Sequence, residues 1–256
     1  MKETVGTPVP KGGILNRCIV PIATVSHKCA SLLLLAALLA VGAQSAASQE
    51  VARDPWVSVD QVLSFSGAVG VFGASLVLDH YQGPPPCAPC DPGSVPGFDR
   101  WIIRPPVRLY AAGSDLLLLG LASGTLVDAG FSQQGRRRVL AELEAVAWTM
   151  GVVGLSKSLI GRDRPVLYTE VAPDVADEVI NQRSMPSGHA ALAFTMATSY
   201  WLSNPERGLA PKLAAVAAAV GIGVLRVASA KHFPSDVVVG AVVGTGVAFA
   251  VHTIRF

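Results

Sequence analysis

Residues 237–254 read VVVGAVVGTGVAFAVHTI, 18 residues with no formal charge when His252 is neutral. A bilayer-spanning helix takes about 20 mostly apolar residues, and this stretch, closed by Arg255, comes close to that by itself. Working back along the chain, apolar helical segments recur at about 211–229, 188–203, 139–158, 107–127 and 61–78, and no stretch reads as a strand. Breakers separate them: His232-Phe233-Pro234, Asn204-Pro205, the polar run 163–187, Gly130 to Gly135, and the proline-rich 84–106. Residues 184–205 are uncharged as well. Asp115 interrupts 107–127, Glu142 and Glu144 sit near the start of 139–158, and Arg226 ends 211–229. Those three segments read either as buried soluble helices or as spans whose charges face a polar interior. The second reading is favoured, so the expected fold is all-α, a membrane-embedded bundle of about six helices.

The composition agrees. Of 256 residues, 51% are hydrophobic and only 15% are charged, against about 25% charged in an ordinary soluble domain. Mean hydropathy is +0.47. A disordered chain would be polar and highly charged. A nucleic-acid binder would carry a basic stripe, whereas the net charge here is +2 and the basic residues are scattered. With aromatics at 6%, Ala, Val, Leu and Gly must fill the interior, which suits close helix packing through small residues.

The chain divides into three parts. Lys2, Lys11, Arg17 and Lys28 precede an apolar run, 30–41, and then the small residues 42–48. That is the build of a secretory signal peptide, or of an uncleaved signal anchor, over 1–47. Residues 48–138 hold the amino-terminal helices and a Pro/Cys-rich outer loop, and 139–256 the remaining helices. Cys87-Ala88-Pro89-Cys90 lies among prolines, without a second cysteine pair or a His pair at zinc spacing, and reads as a local disulfide on the oxidising side of a membrane. Basic loops stay cytoplasmic. Arg136 to Arg138, Arg207 with Lys212, and Arg255 therefore mark the inner side, and the Cys87 loop and the loops at 157–187 and 226–236 face outward. This count needs one crossing before 107. The segment 61–78, with six Gly or Ser, reads as a weak span packed outside or at the interface, so the 30–47 segment is the expected inserter.

Three clusters in the outward loops carry the chemistry. The first is Lys157 with Arg164-Pro165, two cations at the mouth of a bundle that are costly unless an anion neutralises them. Taken alone it would pass for a snorkelling helix flank. It is not a nucleotide-binding loop, because Ser156 stands where that motif needs Gly. The second is Pro186-Ser187-Gly188-His189, where Ser187 is placed to cap a helix whose free amides suit phosphate and His189 stands in the first turn. The third runs from Arg226 to His232 and Asp236, with the carboxylate placed to fix the tautomer of a nucleophilic imidazole. Their bland alternatives are a capped helix and a surface His–Asp pair. No carboxylate or histidine cluster accompanies them as a metal site would need.

Lys-x6-Arg-Pro, Pro-Ser-Gly-His and Arg-x5-His-x3-Asp, in this order over residues 139–254, resemble the type-2 phosphatidic acid phosphatase / vanadium haloperoxidase superfamily. The family usually has Ser before the third-cluster Arg, and this chain has Leu225, which removes one possible hydroxyl donor to phosphate. The resemblance implies a phosphatase that needs no metal or other cofactor. In it His232 attacks phosphorus and becomes a phosphohistidine, Asp236 orients His232, and His189 protonates the leaving oxygen. Lys157, Arg164, Arg226, Ser187 and the Gly188 amide hold the phosphoryl oxygens. The implied substrate is a lipid phosphate or polyprenyl diphosphate, or a small phosphoester, hydrolysed at a bacterial-type inner membrane with the site facing the periplasm. Three rivals remain: a soluble periplasmic acid phosphatase, a haloperoxidase with vanadate on His232, and a non-enzymatic membrane scaffold. Residues 79–106 are expected over the site, with Asp99, Arg100 and Trp101 on its rim.

Overall fold

A computed structural model describes residues 57–256 apart from residues 82 and 84. The targeting segment expected over 1–47 lies outside the described residues. Those residues form eight helices and no strand: α1 (Val59–His80), α2 (Gly97–Arg100), α3 (Arg108–Gly130), α4 (Gly135–Ile160), α5 (Ala172–Val175), α6 (Gly188–Ser203), α7 (Leu209–Ala228) and α8 (Pro234–Arg255). The six long helices are those read from the sequence, most of them extended by a few residues.

At the centre stands α6, only 16 residues long, packed by α3, α4, α7 and α8. Its alanines make this possible, since Ala190, Ala191, Ala193 and Ala197 are almost fully buried. Against α8 the approach is closer still. A Cβ added at Gly244 would lie 2.0 Å from the Ala191 carbonyl oxygen, and one at Gly240 2.5 Å from that of Ser187. Two small residues four apart let the backbones touch.

Five helical segments are long and apolar enough to cross a membrane: α1, α3, the segment Gly135–Tyr168 that contains α4, α7 and α8. Their surfaces point the same way. Leu116, Leu119, Val224, Val238, Val242 and Phe249 lie outward and exposed, while the polar groups turn inward. Thr125 bonds Glu142, Ser64 bonds Glu144, and Arg255 grips Glu144 at 2.6 and 2.7 Å. A soluble core would reverse this distribution. The charges in the middle segments thus face a polar interior, and the chain is a multi-pass membrane protein.

The first helix departs from expectation. The segment 61–78 is part of a 22-residue helix of high mean hydropathy, 1.7, among the candidate spans. Its small residues do not weaken a span but form a contact face. Ser64, Ala68 and Ser75 are buried against α4, where an added Cβ at Gly151 or Gly154 would meet the Ala68 carbonyl oxygen at 2.9 Å or the Ser75 hydroxyl at 2.7 Å. Val62, Leu63, Val69 and Leu76 are left exposed on the opposite side.

The two ends of the bundle are pinned separately. At one end, Arg138 reaches Asn204 at 2.7 Å and Glu206 at 3.0 Å, and Arg207 reaches Asp128 at 2.6 Å. At the other, the loops 81–107, 161–187 and 229–233 bond one another: Cys90 N to the Leu167 carbonyl at 2.8 Å and Val107 N to that of Ser229 at 3.0 Å. Cys87 and Cys90 are joined by a disulfide.

Candidate active site

The second end of the bundle gathers the residues of the three sequence clusters. Lys157 and Arg164 arrive from the end of α4 and the turn that follows, Ser187, Gly188 and His189 from the start of α6, and Arg226, His232 and Asp236 from the junction of α7 and α8.

His232 is 1% exposed. Its Nδ1 lies 2.8 Å from the Ser184 carbonyl oxygen. A carbonyl only accepts, so Nδ1 carries the hydrogen and Nε2 keeps the lone pair. Burial first, then the charges of Arg164, Lys157 and Arg226, push this imidazole well below its ordinary pKa, which keeps it neutral and nucleophilic. The carboxylate of Asp236 stands 3.7 Å from the same nitrogen, too far for a hydrogen bond. It acts one step back. Its oxygens accept from Phe233 N at 2.8 Å, Ser184 Oγ at 2.5 Å and Arg162 at 2.5 Å. Pro234 opens α8, and the acid two residues later reaches back to the residue before it, as an acid in the first helical turn does. Asp236 thus holds both the loop that carries His232 and the segment whose carbonyl orients it.

The cations converge around this ring. Arg164 and Arg226 are 7% and 6% exposed, and the Nε of each is buried without a protein partner, as is the hydroxyl of Ser187. Ser187 precedes α6 but makes no capping bond, contrary to the capping role expected of it. Unpaired buried donors each cost about 1–3 kcal/mol; three of them at one end of the bundle, from the turn after α4, the residue before α6 and the last turn of α7, suit an oxyanion. Gly188 has no packing reason to be glycine, since an added Cβ would meet only Val153 at an ordinary 3.6 Å. Its bare backbone leaves the helix amides open to approach. Lys157 Nζ donates to the Arg183 carbonyl oxygen at 3.0 Å.

His189 is oriented from a helix outside the three motifs. Its Nε2 lies 2.7 Å from Asp115 of α3, and the same carboxylate oxygen is 3.4 Å from Arg226. Burial and then Arg226 lower the His189 pKa, with Asp115 pulling the other way. Ser114 places its hydroxyl 3.3 Å from Arg226, so a hydroxyl stands beside this arginine although Leu225 replaces the usual serine.

Sequence reasoning missed Arg162, Ser184 and the role of Asp115. Arg162 sits two residues before Arg164, and nothing local separates their tasks: Arg162 turns back to Asp236 and to Asp99 at 2.7 Å. Asp99 is not on a rim. It is fully buried and accepts from Ser235 N at 3.1 Å and Ser235 Oγ at 2.6 Å, which ties the Cys87 loop to the start of α8. Arg100 instead bonds the carbonyls of Gly93 and Val95, and Trp101 stays exposed. Among the described residues, Cys87, Cys90 and Asp163 are grouped closely enough to suggest a metal, but both sulfurs are in the disulfide.

Residues 138–256 match the model of the PAP2 superfamily. The chain is also similar to a protein named Lipid A 1-phosphatase from Porphyromonas gingivalis, 30% identical over 120 residues, 45% of this chain and 24% of that protein. The chain therefore spans about a quarter of that relative's length. No solved structure matches it.

Proposed function

From the match of residues 138–256 to the PAP2 superfamily, we propose that the chain is a phosphoric ester hydrolase of that family acting on a lipid phosphate or polyprenyl diphosphate through a phosphohistidine. The observation that carries this reading is the neutral, oriented His232 facing buried cationic donors that lack protein partners.

In the first step Nε2 of His232 attacks phosphorus, the P–O bond to the leaving group breaks, and the leaving oxygen takes a proton from His189. In the second, His189 takes a proton from water, the hydroxide attacks phosphorus, and the N–P bond breaks to release inorganic phosphate. Lys157, Arg164, Arg226, Ser187 and the Gly188 amide hold the equatorial oxygens, since phosphoryl transfer is mostly positioning and charge stabilisation. An arriving phosphate dianion offsets Arg226 and Lys157, which raises the pKa of His189 toward the protonated form that an acid needs. Cations here occupy the place that divalent ions take in metal-dependent phosphatases, so the reaction needs none.

The basic loops at the opposite end, Arg136 to Arg138 and Arg207, support a periplasmic site at an inner membrane, where the disulfide persists. A lipid substrate would keep its tail in the bilayer while its headgroup reaches the three loops. The outward apolar helices favour this over a soluble acid phosphatase or haloperoxidase.

The test is phosphate release from lipid phosphates by the purified protein in detergent. Wild type turns over and EDTA leaves the rate intact, whereas His232→Ala, with an unaltered melting temperature, releases none. Turnover by a folded His232→Ala protein, or EDTA inhibition reversed by a divalent ion, defeats the mechanism.

A further inference from the structure

We propose that Asp99, in the short helix α2, is a positioning residue for the nucleophile: through Arg162 it keeps a net negative charge beside His232 while that ring is phosphorylated. This rests on the hydrolase reading above and deepens it. Asp99 lies outside residues 138–256, so the family match does not reach it.

Asp99 and Asp236 are both fully buried, and one guanidinium joins them. Arg162 gives one nitrogen to Asp99 at 2.7 Å and the other to Asp236 at 2.5 Å. Ser235 closes the group. Its hydroxyl accepts from Arg162 at 2.6 Å and donates to Asp99 at 2.6 Å, and its backbone N–H donates to Asp99 at 3.1 Å. The guanidinium lies over the Phe233 ring, 4.4 Å from its centre. The second oxygen of Asp236 accepts from Ser184 Oγ and Phe233 N, and the Ser184 carbonyl takes the Nδ1 hydrogen of His232. A chain of direct contacts therefore runs from Asp99 to the reacting ring.

The charges in this chain do not cancel. Two carboxylates share one guanidinium, which leaves the group Asp99–Arg162–Asp236 one unit negative. Without Asp99, Arg162 would neutralise Asp236, and the charge beside His232 would be that of Lys157, Arg164 and Arg226 alone. One step depends on the difference. When the N–P bond forms at Nε2, the P–O bond to the leaving group breaks and the leaving oxygen takes its proton from His189. Nδ1 keeps its hydrogen, so the imidazole becomes positive. The Asp236 carboxylate, 3.7 Å from Nδ1, offsets that charge only if Arg162 does not already cancel it. Holding Asp236 in place needs no second carboxylate, since Ser184, Phe233 N and Arg162 already hold it. A second carboxylate carries a desolvation cost and adds charge.

The experiment compares the full-length wild type in detergent with Asp99→Asn and with the double variant Asp99→Asn/Arg162→Gln. The group's charge is −1 in wild type, zero in the single variant and −1 again in the double. Contacts between charged partners are strong enough for kcat on a lipid phosphate to fall roughly tenfold in Asp99→Asn without a rise in KM. The double variant should regain most of that loss, although it has lost one more contact. A merely structural Asp99 gives the opposite order, with the double variant below the single in both kcat and melting temperature, and that order overturns the proposal. So does wild-type kcat in a folded Asp99→Asn. If Asp99→Asn does not fold, the double variant decides alone: kcat near wild type upholds the proposal, and a loss of tenfold or more overturns it. Calorimetric binding of orthophosphate reads the same charge without turnover. Asp99→Asn should bind it several-fold more tightly than wild type, and the double variant like wild type. That affinity order upholds Asp99 even if no ester is cleaved, in which case the hydrolase reading fails alone. Ester turnover by wild type without that order refutes Asp99 and leaves the hydrolase standing.

Discussion

At Gly188 the reason for a residue and the reason for a fold come apart. A methyl group there meets only Val153 at 3.6 Å, so Gly188→Ala should melt close to wild type. It should nonetheless raise KM for a phosphate ester roughly tenfold, because small misplacements at a reacting centre are costly. A normal KM would mean that the amides of α6 do not face phosphate. Asp115 makes a complementary case. His189 acts as an acid only while protonated, and Asp115 raises its pKa against burial and Arg226. Asp115→Asn removes that support, so the basic limb of the kcat/KM profile should move to lower pH. A loss of rate with the limb in place would reduce Asp115 to a structural contact.

Between α6 and α8 the decisive groups are missing side chains. The methyl of Gly244→Ala would have to occupy space 2.0 Å from the Ala191 carbonyl oxygen and 3.0 Å from Thr195 N. The helices must part, and over-packing of this kind costs about 1–3 kcal/mol or more. Gly246, two residues on in the same helix, has nothing within 4 Å of an added Cβ. Gly246→Ala should therefore melt at or slightly above wild type, as removal of a helical glycine usually allows, while Gly244→Ala melts well below it. Equal melting temperatures would contradict the packing. Since α8 also carries Asp236 at its start, parting the helices would loosen His232 as well.

Across the whole molecule the site depends on which loops share an end. If α1 and α6 cross along with α3, α4, α7 and α8, the crossings alternate, and the loops with Lys157–Arg164, with His232 and with Cys87–Cys90 fall on one side, opposite Arg136 to Arg138. Single cysteines placed at 134 and 175, in a background lacking Cys87 and Cys90, test the side. An impermeant thiol reagent added to cells with a permeable outer envelope should label 175 and spare 134. The reverse pattern would place the site in the cytoplasm.

The sequence by itself determined the six long helices, because uninterrupted apolar stretches bounded by Pro, Gly and charge leave little else for the backbone to do in lipid. It also singled out the motif residues from Lys157 to Asp236, which the fold brings to one end of the bundle. Only the tertiary structure decided what those residues touch. The small residues of α1 read as a poor span because composition does not say which side they face; in the bundle Ser64, Ala68 and Ser75 meet the glycines of α4. Arg162 and Arg164 are chemically equivalent two residues apart, and the fold alone sends one back to Asp99 and Asp236 and leaves the other's Nε unpaired. Asp115 and Ser184 join the site from 74 and 48 residues away along the chain from the histidines they serve. Contacts at that distance are set by how helices pack, and local pattern does not encode them.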